Sequence, residues 1–164
     1  MPSYKAPLRE YKFILKDVLE LDRYSNLPSF SDAPLDLIDQ VLEEGAKFCE
    51  EVLAPLNKVG DEHGCTRADD GSVTTPPGFK EAYAQLVEAG WPSLTSDPTY
   101  GGQGLPHIVG LAWSEMVASA NMAFGMYPGL SHGAYEAVHQ HGTDEQKQTY
   151  LPKLVTGEWT GTMN

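Results

Sequence analysis

A chain of 164 residues that is 41% hydrophobic, with three tryptophans and eight tyrosines, carries enough apolar surface for one packed core of ordinary domain size. Eleven Lys and Arg against 23 Asp and Glu give a net charge of −12 without a basic cluster, so no electrostatic footprint for nucleic acid is present. No apolar run approaches the ~18 residues of a membrane span, and the first residues carry no leader signature, which makes the cytoplasm the expected compartment.

Pro7 is placed to open a first helix, with Leu8, Tyr11, Ile14, Leu15, Val18 and Leu19 at helical spacing and an end near Tyr24. After a loop through Pro28, Ser31 or Asp32 can cap a second helix whose stripe runs Ile38, Val41, Leu42, Phe48, Cys49, Val52, Leu53 and Leu56. Pro55 removes a backbone donor within that stripe, so a kink or break is expected there. Cys49, on the stripe, reads as a small buried hydrophobe; Cys65 lies outside any CxxC spacing, and both fit a reducing compartment.

Polar residues, Gly and Pro dominate 60–77, with a small hairpin expected around Asp70-Gly71. Helix resumes at Pro77 and stops at Gly90 in the C′ position. Beyond the breaker-rich segment from Pro92 to Pro106, Ile108–Met122 and Tyr127–His141 read as two helices joined by a flexible Ala123-Phe124-Gly125-Met126 link. Thr143 with Gln146 three positions on predicts a capping box for a short helix that Pro152 interrupts and Gly157 ends. Trp159, Gly161 and Met163 alternate with a period of two and read as a strand. A lone strand cannot satisfy its own backbone, so the polypeptide is expected to continue past Asn164. The fold class is all-α, a helical bundle leading into the first strand of a β domain, with an extension at 1–30, the helical domain at 31–157 and the β entry at 158–164.

Three motifs invite chemistry. The loop Tyr100-Gly101-Gly102-Gln103-Gly104-Leu105-Pro106 matches neither a Walker A loop nor a dinucleotide fingerprint, and pattern alone favours a structural turn over a ligand-facing loop. Glu136-x-x-His139 has the spacing of dimetal carboxylate bundles, but those need two such motifs and further carboxylates, so no metal site is expected. Ser131-His132 are adjacent on a helix and do not face each other, which argues against a nucleophile and base pair. Small residues at Ser131, Gly133 and Ala134 leave room for either a crossing helix or a ligand chain, and helix packing is the commoner reason.

Together, the Gly-rich loop, the helix Ser131-His132-Gly133-Ala134-Tyr135, the run from His141 to Leu154 and the following Gly157-Glu158-Trp159-Thr160-Gly161-Thr162-Met163 resemble the amino-terminal helical domain of the acyl-CoA dehydrogenases. The opening Tyr4-Lys5-Ala6-Pro7-Leu8-Arg9 further resembles the subgroup that includes 3-methylmercaptopropionyl-CoA dehydrogenases. The resemblance implies an intact flavoenzyme in which FAD takes a hydride from an acyl-CoA, a glutamate outside this stretch removes the α-proton, and a trans-2-enoyl-CoA results. It implies an electron-transfer flavoprotein or similar acceptor as partner, and a homo-oligomer. By the same resemblance Met163 and Asn164 would contact the flavin, while Met126, Tyr127, Leu130, Ser131 and Gly133 would line the acyl pocket; no catalytic residue is assigned. The alternative is a self-sufficient helical binding or scaffold module without catalysis.

Overall fold

The computed structural model describes residues 3–162, and six helices follow the apolar stripes along it: α1 (Leu8–Phe13), α2 (Leu35–Phe48), α3 (Ala54–His63), α4 (Phe79–Glu88), α5 (His107–His141) and α6 (Asp144–Val155). The expected all-helical architecture holds. The one sheet among the described residues is a hairpin of β1 (Thr66–Arg67) and β2 (Val73–Thr74), antiparallel with Thr66 opposite Thr74, at the expected Asp70-Gly71 turn.

Pro7 caps α1 instead of opening it, and the helix loosens into a π turn over Ile14–Val18. Glu20, at φ 48° in the left-handed region, then stops it short of Tyr24, leaving a separate 3-10 turn over Leu21–Tyr24. This segment buries Tyr11 and Leu15 in the core, and ion pairs flank the contact: just beyond α2, Lys5 pairs with Glu50, whose carboxylate also accepts the Ala6 amide at 2.9 Å, and Lys12 reaches Glu43 and Asp39 on α2.

Helix α2 starts at Leu35, later than Ser31 or Asp32 would set it. The residue before a proline is biased away from helical backbone, and Pro34 is itself extended at ψ 155°. At Pro55 the chain neither breaks nor simply continues. A π turn over Cys49–Leu53 leads straight into α3, with the Ala54 amide donating to the Cys49 carbonyl, so the helix widens to accommodate the missing donor. Cys49 and Leu53 within that turn are fully buried.

Helix α5 departs most from expectation. Its single interruption is Asn121 (φ −160°, ψ 90°), and the region expected as a flexible link, 123–126, is helical. The buried Asn121 carboxamide explains both facts: Oδ1 accepts the Phe124 amide at 3.0 Å, the N-cap pattern that starts a new helix, while Nδ2 donates to the Leu53 carbonyl at 3.2 Å. The first half of α5 crosses α2 closely at Gly45, where a Cβ would stand 3.1 Å from the Trp113 ring and 3.2 Å from Met116.

Helix α6 begins with the expected capping box between Thr143 and Gln146, and Gly157 at φ 72° ends it. It runs through Pro152 without interruption, because Leu151, Leu154 and Val155 are buried with Tyr135 in a second apolar cluster that holds the helix in place. The expected strand at 158–162 does not form. Strand backbone needs a neighbour's backbone, whereas here the Trp159 amide donates to the Lys153 carbonyl and the Gly161 amide to the Ser131 hydroxyl. Met163 lies outside the described residues.

Candidate functional site

Capping at Asn121 turns the two halves of α5 away from one line, and a cavity of about 710 Å³ opens between them, the end of α4 and the loop from Trp91 to Ser96. That size falls within the range of small-molecule sites. Trp91 stacks on Trp113 with ring centres 4.0 Å apart and planes 12° off parallel, which ties the loop to the first half of α5. Met122 and Met126, one helical turn apart and both exposed, line it from the second half of α5, and the exposed Leu111 lines it from the first half. The polar groups on this wall are hydroxyls such as Ser114 and Ser131 and the imidazoles of His107 and His132. Among the described residues, no carboxylate, lysine or arginine lines the cavity. Such a chamber can sequester an apolar chain from water.

Of the five residues expected at an acyl pocket, Met126 and Ser131 line this cavity. Tyr127 is not part of the lining; it is exposed and meets the lining residue Tyr83 edge-on at 5.1 Å and 86°. Leu130 is 41% exposed, and Gly133 faces open space, with nothing within 4 Å of a Cβ built there. Met163 and Asn164, expected to contact flavin, lie outside the described residues. Sequence reading missed Leu111, Met122 and Trp113; the Met122 and Met126 spacing of four was the available signal.

The Gly-rich loop does not line the cavity. Its amides are engaged by the preceding segment: Gly102 donates to the Asp97 carbonyl, Gln103 to Ser93, Gly104 to Ser96 and Leu105 to Leu94, all at 2.9–3.1 Å. Gly102 has no room for a side chain, because a Cβ there would overlap the Ser96 carbonyl. With those amides occupied and no Lys or Arg in the cavity, neither this loop nor the cavity builds a cradle for the pyrophosphate of a dinucleotide.

A polar network fastens this loop to α5. Asp97 Oδ1 accepts the Thr99 amide at 2.7 Å, Oδ2 lies 3.1 Å from His139 Nε2, and the Asp97 amide donates to the Tyr135 hydroxyl at 2.8 Å. The bonds from Thr99, and then His139, hold the Asp97 carboxyl below the usual carboxylate range. Burial pushes the Tyr135 phenol up, and burial drives the Cys49 thiol to about 12, so that thiol is inert. His139 is thus occupied by Asp97 and not by Glu136, which stands one helical turn from His132 instead.

The model of the acyl-CoA dehydrogenase amino-terminal domain matches residues 38–158, and the chain belongs to that family. Among individual proteins, 3-methylmercaptopropionyl-CoA dehydrogenase of Ruegeria pomeroyi is 43% identical over 162 residues, 99% of this chain and 27% of that protein. A butyryl-CoA dehydrogenase of Syntrophomonas wolfei is 33% identical over 98% of this chain and 27% of its own length. The broad-specificity linear acyl-CoA dehydrogenase of Mycobacterium tuberculosis is 30% identical over 99% of this chain and 26% of its own length. The chain therefore spans about a quarter of the length of these relatives. A solved structure from work on the electron transferring flavoprotein of Acidaminococcus fermentans superposes with a TM-score of 0.58 over 75% of this chain and 30% of that one, at 22% identity, a likeness of fold alone. No helix among the described residues is long and apolar enough to cross a membrane.

Proposed function

We propose that this chain is the amino-terminal helical domain of an FAD-dependent acyl-CoA dehydrogenase, oxidising an acyl-CoA to a trans-2-enoyl-CoA, and that its cavity forms one wall of the acyl pocket. The observation that carries the reading is an apolar, carboxylate-free cavity of about 710 Å³ in a chain of this family. Met126 and Ser131 would touch the acyl chain, and Tyr127, Leu130 and Gly133, on the same half of α5 but outside the cavity lining, would join the pocket in the intact enzyme. An apolar wall excludes water from the thioester and so strengthens every electrostatic interaction at the reacting carbons. The catalytic base and the pyrophosphate contacts belong to other parts of the enzyme, and Met163 and Asn164 are assigned to the flavin. We assign acyl-CoA as substrate, an electron-transfer flavoprotein or similar acceptor as partner, a homo-oligomeric assembly and a cytoplasmic location.

The test uses the product of the complete reading frame. A panel of acyl-CoA thioesters should bleach its flavin absorbance, and Met126→Trp should shift the preference in kcat/KM toward shorter chains by about 10–200-fold. Failure of every acyl-CoA to bleach a flavin-loaded enzyme refutes the activity. An unchanged chain-length profile in Met126→Trp refutes the placement of the pocket.

A further inference from the structure

The fold brings three metal-binding side chains together that sequence spacing keeps apart. His107 is the first residue of α5, and His132 and Glu136 follow one turn apart in its second half. Their ligand atoms all lie within 4.8 Å of one another, with His132 Nε2 3.9 Å from Glu136 Oε1. The Glu136-x-x-His139 spacing is a distraction, because His139 turns to Asp97 and leaves Glu136 to the two other imidazoles.

We propose that His107, His132 and Glu136 form a three-ligand site for a borderline divalent transition ion, with Zn²⁺ as the best match, at the rim of the apolar cavity. Two imidazoles and one carboxylate suit Zn²⁺ and its neighbours; Mg²⁺ and Ca²⁺ require oxygen-rich sets. Tetrahedral zinc with bonds of about 2.0–2.1 Å needs ligand atoms roughly 3.4 Å apart. The ligand atoms, within 4.8 Å of one another, must approach by up to about 1.4 Å, and rotation of His107 and His132, both exposed, supplies that movement. Tyr135 stands beside the site: its hydroxyl accepts the Asp97 amide, and its ring lies nearly parallel to that of His132, 14° off with centres 6.4 Å apart. Since His107 and His132 both line the cavity and the described residues supply three ligands, a fourth coordination position stays open to water or to a donor atom of a molecule entering the cavity. The site stands independently of the dehydrogenase reading.

The experiment is a Zn²⁺ titration of chelator-stripped full-length protein in competition with a chromogenic chelator, repeated with Co²⁺ for its visible ligand-field bands. One tight equivalent is expected in the wild type. His107→Ala, His132→Ala and Glu136→Gln should each weaken it at least about tenfold, and His63→Ala, on α3, should leave it unchanged. His107→Asn and His132→Gln repeat the test with milder changes, and circular dichroism checks that each variant is folded. A net charge of −12 attracts cations loosely, so excess Mg²⁺ or Ca²⁺ should leave the tight equivalent in place. Equal Zn²⁺ affinity in the wild type and the His107→Ala, His132→Ala double variant would overturn the site, as would displacement by millimolar Mg²⁺.

Discussion

Gly102→Ala should be the most damaging one-methyl change in the glycine-rich loop. The added Cβ would overlap the Ser96 carbonyl and stand 2.8 Å from the Asp97 amide nitrogen, so the obstacle is backbone and cannot rotate aside. Overpacking of this kind costs about 1–3 kcal/mol. Moving the loop also weakens the bonds from Gly102 to Asp97 and from Gly104 to Ser96, at about 0.5–1.5 kcal/mol each. The sum is about 2–6 kcal/mol, a large share of the ~5–15 kcal/mol that holds a domain together. For a domain of this size that is a fall in Tm of roughly 4–24 °C. Two neighbours calibrate the result. Gly101→Ala meets no atom within 4 Å but keeps a φ of 92°, so it should lose only about 1–2 kcal/mol. Gly133→Ala, helical and in open space, should gain about 0.5–1 kcal/mol. Urea unfolding followed by tryptophan fluorescence at constant m-value measures all three. If Gly102→Ala loses less than Gly101→Ala, the close approach does not constrain the loop and the reasoning fails.

Asn121→Ala should destabilise by about 2–4 kcal/mol, since it removes the helix cap and strands the Phe124 amide and the Leu53 carbonyl in the core; a thermal melt unchanged within 1 °C would refute this. Asp97 has its folded pKa below the unfolded value, so the stability it contributes is fully present above the usual carboxylate range and is lost as pH falls through the folded pKa. The difference in unfolding free energy between wild type and Asp97→Asn should therefore be constant above about pH 5 and shrink below about pH 4. A difference that instead grows in acid would contradict the assigned sign.

Local signals in the sequence translated well where a few adjacent residues decide the outcome. Thr143 and Gln146 cap each other through contacts within one turn, and the Asp70-Gly71 hairpin and the Gly90 helix stop are equally local. Prolines broke the chain less than expected: Pro55 is absorbed by a widened turn and Pro152 by the buried side chains around it, and neither accommodation is visible from the proline itself. Asn121 is a strong cap former, yet its decisive partner is Leu53, 68 positions away, and the small residues at 123 and 125 drew attention to the wrong place. The same distance explains the site. Met126 and Ser131 were reachable from one helix, whereas Leu111 and Trp113 join them only because the helix bends. The pairing of His107 with His132 and Glu136 depends on that bend too and has no trace in sequence spacing.

One carboxamide thus acts as the rivet of a pair of calipers. Asn121 starts one jaw and fastens the pivot to the junction of α2 and α3 at Leu53, so substitutions around that junction reset the gap between the jaws without touching anything inside it. Differences in what fits between the jaws can then arise from the packing around Leu53 as readily as from the residues that face the occupant.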